Sequence, residues 1–114
     1  MLLMEGIKMF EKIDYWVTAA SYADRKGTWF LEAALIHPNI GESHEFDEEW
    51  TREQILEKCD VFVFCTIAKN EKGEWKRMEQ VRKIKMEQGE FLRVDGKEKA
   101  GDQLGFLPTI EEVL

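Results

Sequence analysis

Apolar positions along the chain fall into short runs whose composition and spacing predict strands far more often than helices. Tyr15-Trp16-Val17-Thr18 is a run of β-formers. A polar stretch from Tyr22 to Gly27 follows it, and then Thr28-Trp29-Phe30-Leu31-Glu32-Ala33-Ala34-Leu35-Ile36, closed by Pro38. Two β-rich runs around a charged, Gly-containing turn predict a hairpin. The second run is apolar on both faces for much of its length, which predicts a central strand or one covered by a helix. Val61-Phe62-Val63-Phe64-Cys65-Thr66-Ile67 is β-branched, aromatic or small throughout and too short for a buried helix, so it predicts a buried strand. Asn70-Glu71-Lys72-Gly73 is turn chemistry. A strand over residues 80–87 and the run Phe91-Leu92-Arg93-Val94, joined through Gln88-Gly89-Glu90, predict a second hairpin.

The clearest helix signal is Trp50-Thr51-Arg52-Glu53-Gln54-Ile55-Leu56. Thr51 and Gln54 stand at the spacing of a capping box, in which each side chain satisfies an orphan backbone N–H of the first turn. Trp50 sits where a hydrophobic staple would, and Ile55, Leu56 and Cys59 form one apolar stripe that should end near Asp60. Asn39 to Asp47 reads as a loop, and so does Asp95 to Gly101. The apolar stretch Leu104-Gly105-Phe106-Leu107-Pro108 should fold back on the core. Thr109 and Glu112 predict a final capped turn that uses Val113 and Leu114 for packing. Residues 1–13 read as a loosely attached N-terminal segment and residues 14–114 as one domain. The expected class is α+β, with about five mainly antiparallel strands and one helix in the order β-β-α-β-β-β.

Composition changes this picture little. A chain of 114 residues buries roughly 65% of the surface its unfolded form exposes, enough for a core without disulfides or metals. Seven Phe, four Trp and two Tyr supply bulk for it. Cys59 and Cys65 read as small buried hydrophobes rather than a disulfide framework. Met1-Leu2-Leu3-Met4 is too short for a signal-peptide core, and no stretch approaches the roughly 20 apolar residues of a membrane span. The expected compartment is therefore a reducing cytoplasm.

Charge narrows the partners. The net charge of −7 argues against non-specific affinity for DNA, RNA or anionic lipid, and favours encounters with basic protein surfaces. Lys83, Lys85, Arg82 and Arg93 near Trp75 form the one basic and aromatic cluster, but Glu79, Glu87 and Glu90 neutralise it. Such lysines also protect strand edges. Neither a nucleic-acid partner nor a membrane is expected.

No catalytic constellation emerges. There is no Gly-x-Gly-x-x-Gly, no phosphate-binding Gly-Lys-Ser/Thr and no Gly-x-Ser-x-Gly, so no catalytic residue and no cofactor is expected. His37 and His44 with Cys59 and Cys65 have the ligand types of a zinc site but not finger-like spacing. Glu42, Glu45, Asp47, Glu48, Glu49 and Glu53 form an acidic cluster around the loop and the helix start. It reads as solvated charge or as a docking patch for a basic protein. Calcium-loop order is missing from it. A small metal-dependent enzyme using Glu45, Asp47 or Glu48 with His44, and a homo-oligomer pairing through an edge strand or exposed tryptophans, stand as alternatives.

Five segments together resemble one family: Asp14-Tyr15-Trp16-Val17-Thr18-Ala19, Trp50-Thr51-Arg52-Glu53-Gln54-Ile55, Phe64-Cys65-Thr66, Phe91-Leu92-Arg93-Val94-Asp95 and Asp102-Gln103-Leu104-Gly105-Phe106-Leu107-Pro108. The family comprises short bacterial and phage proteins known only as a domain of unknown function, with an Asp-x-Leu-x-x-Leu-Pro tail. The resemblance covers residues 14 to about 110, and an opening like Met1 to Ile13 is not part of the pattern. It implies no activity, cofactor or catalytic residue. It does imply a mobile-element role, such as modulating a host protein or defence complex through a basic surface. In the tail, Asp102 is expected to cap a turn, Leu104 and Leu107 to plug the core and Pro108 to end the segment.

Overall fold

The structure, a computed structural model, describes residues 12–39 and 48–113. The expectations for residues 1–11, for the loop over 40–47 and for Leu114 fall outside these residues. The hairpin forms as expected, with longer strands. β1 (Tyr15–Arg25) and β2 (Thr28–Pro38) are joined by Lys26 and Gly27 alone. Both turn residues have positive φ, 55° and 86°, as a two-residue hairpin turn of the right twist requires. The Asp24 carboxylate fixes that turn by accepting the Gly27 N–H at 2.8 Å. Tyr22 to Arg25, polar in sequence, therefore belongs to the strand rather than to the turn.

A short strand not anticipated from the sequence follows, β3 (Glu48–Thr51), paired with β2 along its edge. It runs directly into α1 (Arg52–Lys58). The capping box is present, with the Thr51 N–H donating to Gln54 Oε1 at 2.8 Å and the Gln54 N–H to Thr51 Oγ1 at 3.3 Å. Ile55 is buried, while Leu56, Cys59 and Trp50 pack against the same core.

The apolar run from Val61 to Ile67 divides in two, correcting the expected strand. Val61 and Phe62 both donate to the Lys58 carbonyl and complete the helix's last turn, leaving Val61 75% exposed. The Val63 N–H is taken by the Asp14 carboxylate at 2.8 Å. Strand geometry starts only at β4 (Phe64–Lys69). β5 (Trp75–Met86) is also longer than the residues 80–87 expected, because its first half is exposed on both faces and shows no alternation. β6 (Gly89–Arg93) completes the second hairpin, and α2 (Ile110–Val113) is the capped final turn, with Thr109 and Glu112 bonded to each other.

The described residues form an α+β domain with a sheet of six strands in the order β3-β2-β1-β4-β5-β6. All neighbours are antiparallel except β1 and β4. The count of about five thus becomes six, and the one parallel pair arises because the chain crosses from β2 through β3 and α1 before reaching β4. Val17, Ile36, Ile55, Phe64, Leu92 and Leu104 fill the main core. Half-buried Tyr15 packs against it, stacked on Phe64 at 5.0 Å and tilted against Trp50 at 4.9 Å. Ile13 is also buried.

Candidate functional site

β1 and β4 touch only over Tyr15 to Val17 and Phe64 to Thr66. Beyond that point they separate, and the C-terminal tail passes into the gap. The way the tail is held decides what it shows to solvent.

The first hold is at Asp102, a buried carboxylate. It accepts the Leu31 N–H at 2.7 Å, the Leu92 N–H at 2.9 Å and the Arg52 Nε–H at 2.6 Å. The Arg52 guanidinium lies near the Phe30 and Phe91 rings, 5.3 and 5.8 Å from their centroids, and also donates to the Glu90 carbonyl. Asp102 therefore does more than cap a turn: it joins β2, β6 and α1 at one point. Gln103 next pairs with β6, donating to Leu92 and accepting from Val94. The Leu104 N–H donates to the Tyr22 hydroxyl at 2.9 Å, and the Leu104 side chain is buried in the core. Burial raises the pKa of Tyr22, with the Leu104 N–H opposing. Further on, Pro108 O accepts the Ala20 N–H and Ser21 Oγ accepts the Ile110 N–H, while Ile110 packs on Ala19 and Leu35.

Between these anchors the Leu107 N–H donates to the Gly105 carbonyl at 3.1 Å, closing a three-residue turn with Phe106 at its tip. Gly105 supports the bend with φ of 84°. With Leu104 and Leu107 turned to the core, Phe106 points out and is 95% exposed. It borders a groove of about 530 Å³ lined also by Ala68, Lys69, Trp75, Pro108 and Val113. Trp75 is 54% and Val113 47% exposed, and Met78, which meets Phe106 across a smaller neighbouring groove, is 45% exposed. The Lys69 ammonium sits 5.1 Å from the Trp75 ring. These side chains offer apolar burial and one cation, which suits contact with another protein.

The acidic cluster expected from the sequence is placed in part. Glu42, Glu45, Asp47 and His44 lie outside the described residues. Glu48 and Glu49 are exposed on β3 and Glu53 is exposed in the first turn of α1. β3 is the far strand of the sheet, separated by β2 from β1, whose Thr18 lines the groove, so these carboxylates take no part in the groove.

Of the residues considered for zinc, His37 is buried in β2 and Cys65 is buried in β4, while Cys59 is half-buried at the end of α1. Burial pushes both thiols up, against the nearby cations Lys83 at Cys59 and Arg77 at Cys65. Among the described residues no three His, Cys, Asp or Glu side chains gather in a way that would hold a metal. In the basic cluster, Lys83 pairs with Asp60 at 2.6 Å and with Glu90 at 3.6 Å. Arg93 is buried against Asp95, at 2.7 Å, and the Gly101 carbonyl, at 2.9 Å. Those two cations are engaged within the fold, and Arg82 and Lys85 remain exposed.

Phe106 was missed because an apolar tail residue is expected to turn inward. The signal available was the spacing: with Leu104 and Leu107 both inward, Phe106 beside Gly105 has no inward position left.

No family model, no curated protein and no solved structure matches the chain. No helix among the described residues is long and apolar enough to cross a membrane.

Proposed function

We propose that the chain is a small, acidic, non-enzymatic protein-binding module. The observation that supports this most is Phe106, fully presented to solvent on a tail pinned on both sides by hydrogen bonds. An aromatic side chain held rigidly outward loses little entropy on binding, the property of interface hot spots. With Trp75, Met78 and Val113 it exposes apolar area on the order of 500 Å², within the range where a monomer's largest patch is often functional. The net charge of −7 favours a partner with a basic surface, met by Glu48, Glu49 and Glu53 at the far edge of the sheet. A role in modulating a host protein in a phage or other mobile element rests on the tail resemblance alone.

The test compares tagged wild-type protein with Phe106→Ser and Trp75→Ser in nuclease-treated pull-downs from the native host, over a salt series. A near-stoichiometric protein retained by the wild type and lost from both variants supports the reading. Captured proteins identical for all three overturn it.

A further inference from the structure

We propose that the apolar face around Phe106 closes on a second copy of this chain, forming a two-fold dimer. The proposal rests on reading this face as a protein-binding surface and names the protein that covers it.

Shape is the first argument. A two-fold interface uses one patch twice, so the patch must carry both a projection and the recess that receives it. Phe106 projects from the tail, and the recess between Trp75, Pro108 and Val113 lies directly beside it. A two-fold axis at this border sets each Phe106 into the partner's groove. The exposed apolar area of roughly 500 Å² is also close to the apolar share of a standard interface, which takes about 800 Å² from each partner.

Charge is the second argument. A chain of net charge −7 repels its own copy over most of its surface. This face is different. Lys69 lines the β4 side of the groove, with Lys72 and Lys76 in the adjoining β4–β5 turn region beside Glu71 and Glu74. Val113, from α2 packed against β1, also lines it and is flanked by Glu111 and Glu112. The face thus carries charges of both signs, and a second copy can set its glutamates against these lysines on both sides of the axis. In the dimer the edge carrying Glu48, Glu49 and Glu53 stays uncovered, separated by β2 from the groove-lining β1.

Light scattering on the eluting full chain tests this. The expected mass is twice 13.4 kDa. Phe106→Glu, at a side chain exposed in the monomer, should leave the circular dichroism unchanged and raise the dimer dissociation constant at least about thirtyfold. Lys69→Glu should weaken the dimer about three- to tenfold at low ionic strength. A wild-type mass of one chain at micromolar concentration overturns the second copy, as does a dimer that neither variant weakens. Phe106-dependent capture of a different protein by a monomeric wild type leaves the binding-module reading standing. Its absence removes both.

Discussion

Arg52 and Asp102, 50 positions apart in the chain, meet in a 2.6 Å ion pair whose carboxylate is fully buried. The carboxylate also accepts two backbone N–H groups, and the guanidinium donates to a backbone carbonyl and lies near two aromatic rings. Among the described residues no buried side-chain nitrogen or oxygen lacks a partner. A buried pair is tolerated only when it is satisfied in this way, since desolvating two charges costs more than their attraction alone returns. The pair also sets the tail's starting point, and with it the position of Phe106.

Removing one partner should therefore be costly. Asp102→Ala is expected to destabilise the protein by about 3–5 kcal/mol, because it strands the guanidinium and two N–H groups. Arg52→Met should cost less, since Asp102 keeps its backbone donors. A double-mutant cycle by urea unfolding should return a coupling of about 0.5–3 kcal/mol. Additive losses would mean that the two residues do not act as a unit.

Tyr22→Phe probes the next anchor. It removes the acceptor of the Leu104 N–H and leaves that group without a partner, at a cost of about 1–3 kcal/mol. The Leu104 amide should then exchange with solvent faster, while amides in β5 and β6 stay protected. Unchanged exchange at Leu104 would show that another group takes over the bond.

Local hydrogen-bond chemistry was the part of the fold legible in the sequence. The Thr51–Gln54 box, the Asn70 turn and the Thr109–Glu112 turn each involve side chains within a few residues, and all three form. Composition misled where partners outside the sheet claim the backbone groups. Val61 to Val63 look like strand, yet the Lys58 carbonyl and the Asp14 carboxylate claim their N–H groups. The first half of β5 has no buried face and so no alternation to read. Asp102 gave no sign of burial, because its cation lies 50 positions upstream. The tail's sequence was silent on Phe106, whose direction follows from the anchors on either side.

Acid should weaken the Arg93–Asp95 link. The two hydrogen bonds from the Arg93 guanidinium hold the Asp95 carboxyl far below its ordinary value of 3.8, against the opposing effect of burial. A carboxyl depressed in the folded state releases its proton more readily there than in the unfolded chain. Its stabilisation is therefore complete above the ordinary value and is lost as pH falls below it. Thermal midpoints measured from pH 6 down to pH 2 should fall less steeply at the acid end for Asp95→Asn than for the wild type, with the variant already less stable at pH 6. Parallel curves would place the acid sensitivity in other carboxylates.

The cysteines should differ in reactivity by their surroundings. The thiolate is the reactive form, and burial raises the pKa of both thiols. Cys59 is half-buried, with its Sγ 3.9 Å from the Val81 carbonyl, and Lys83 partly offsets the effect of burial there. Cys65 is inaccessible in β4. With Ellman's reagent at pH 8, Cys59 should react more slowly than a free thiol, and Cys65 only at the rate of opening or unfolding. The Cys59→Ser variant isolates the second phase: adding urea should accelerate it steeply, because each reaction event waits for β4 to separate from its neighbours. Two thiols titrating at once in native buffer would mean that β4 opens readily, and the split where the tail enters between β1 and β4 would then be the place to look for that motion.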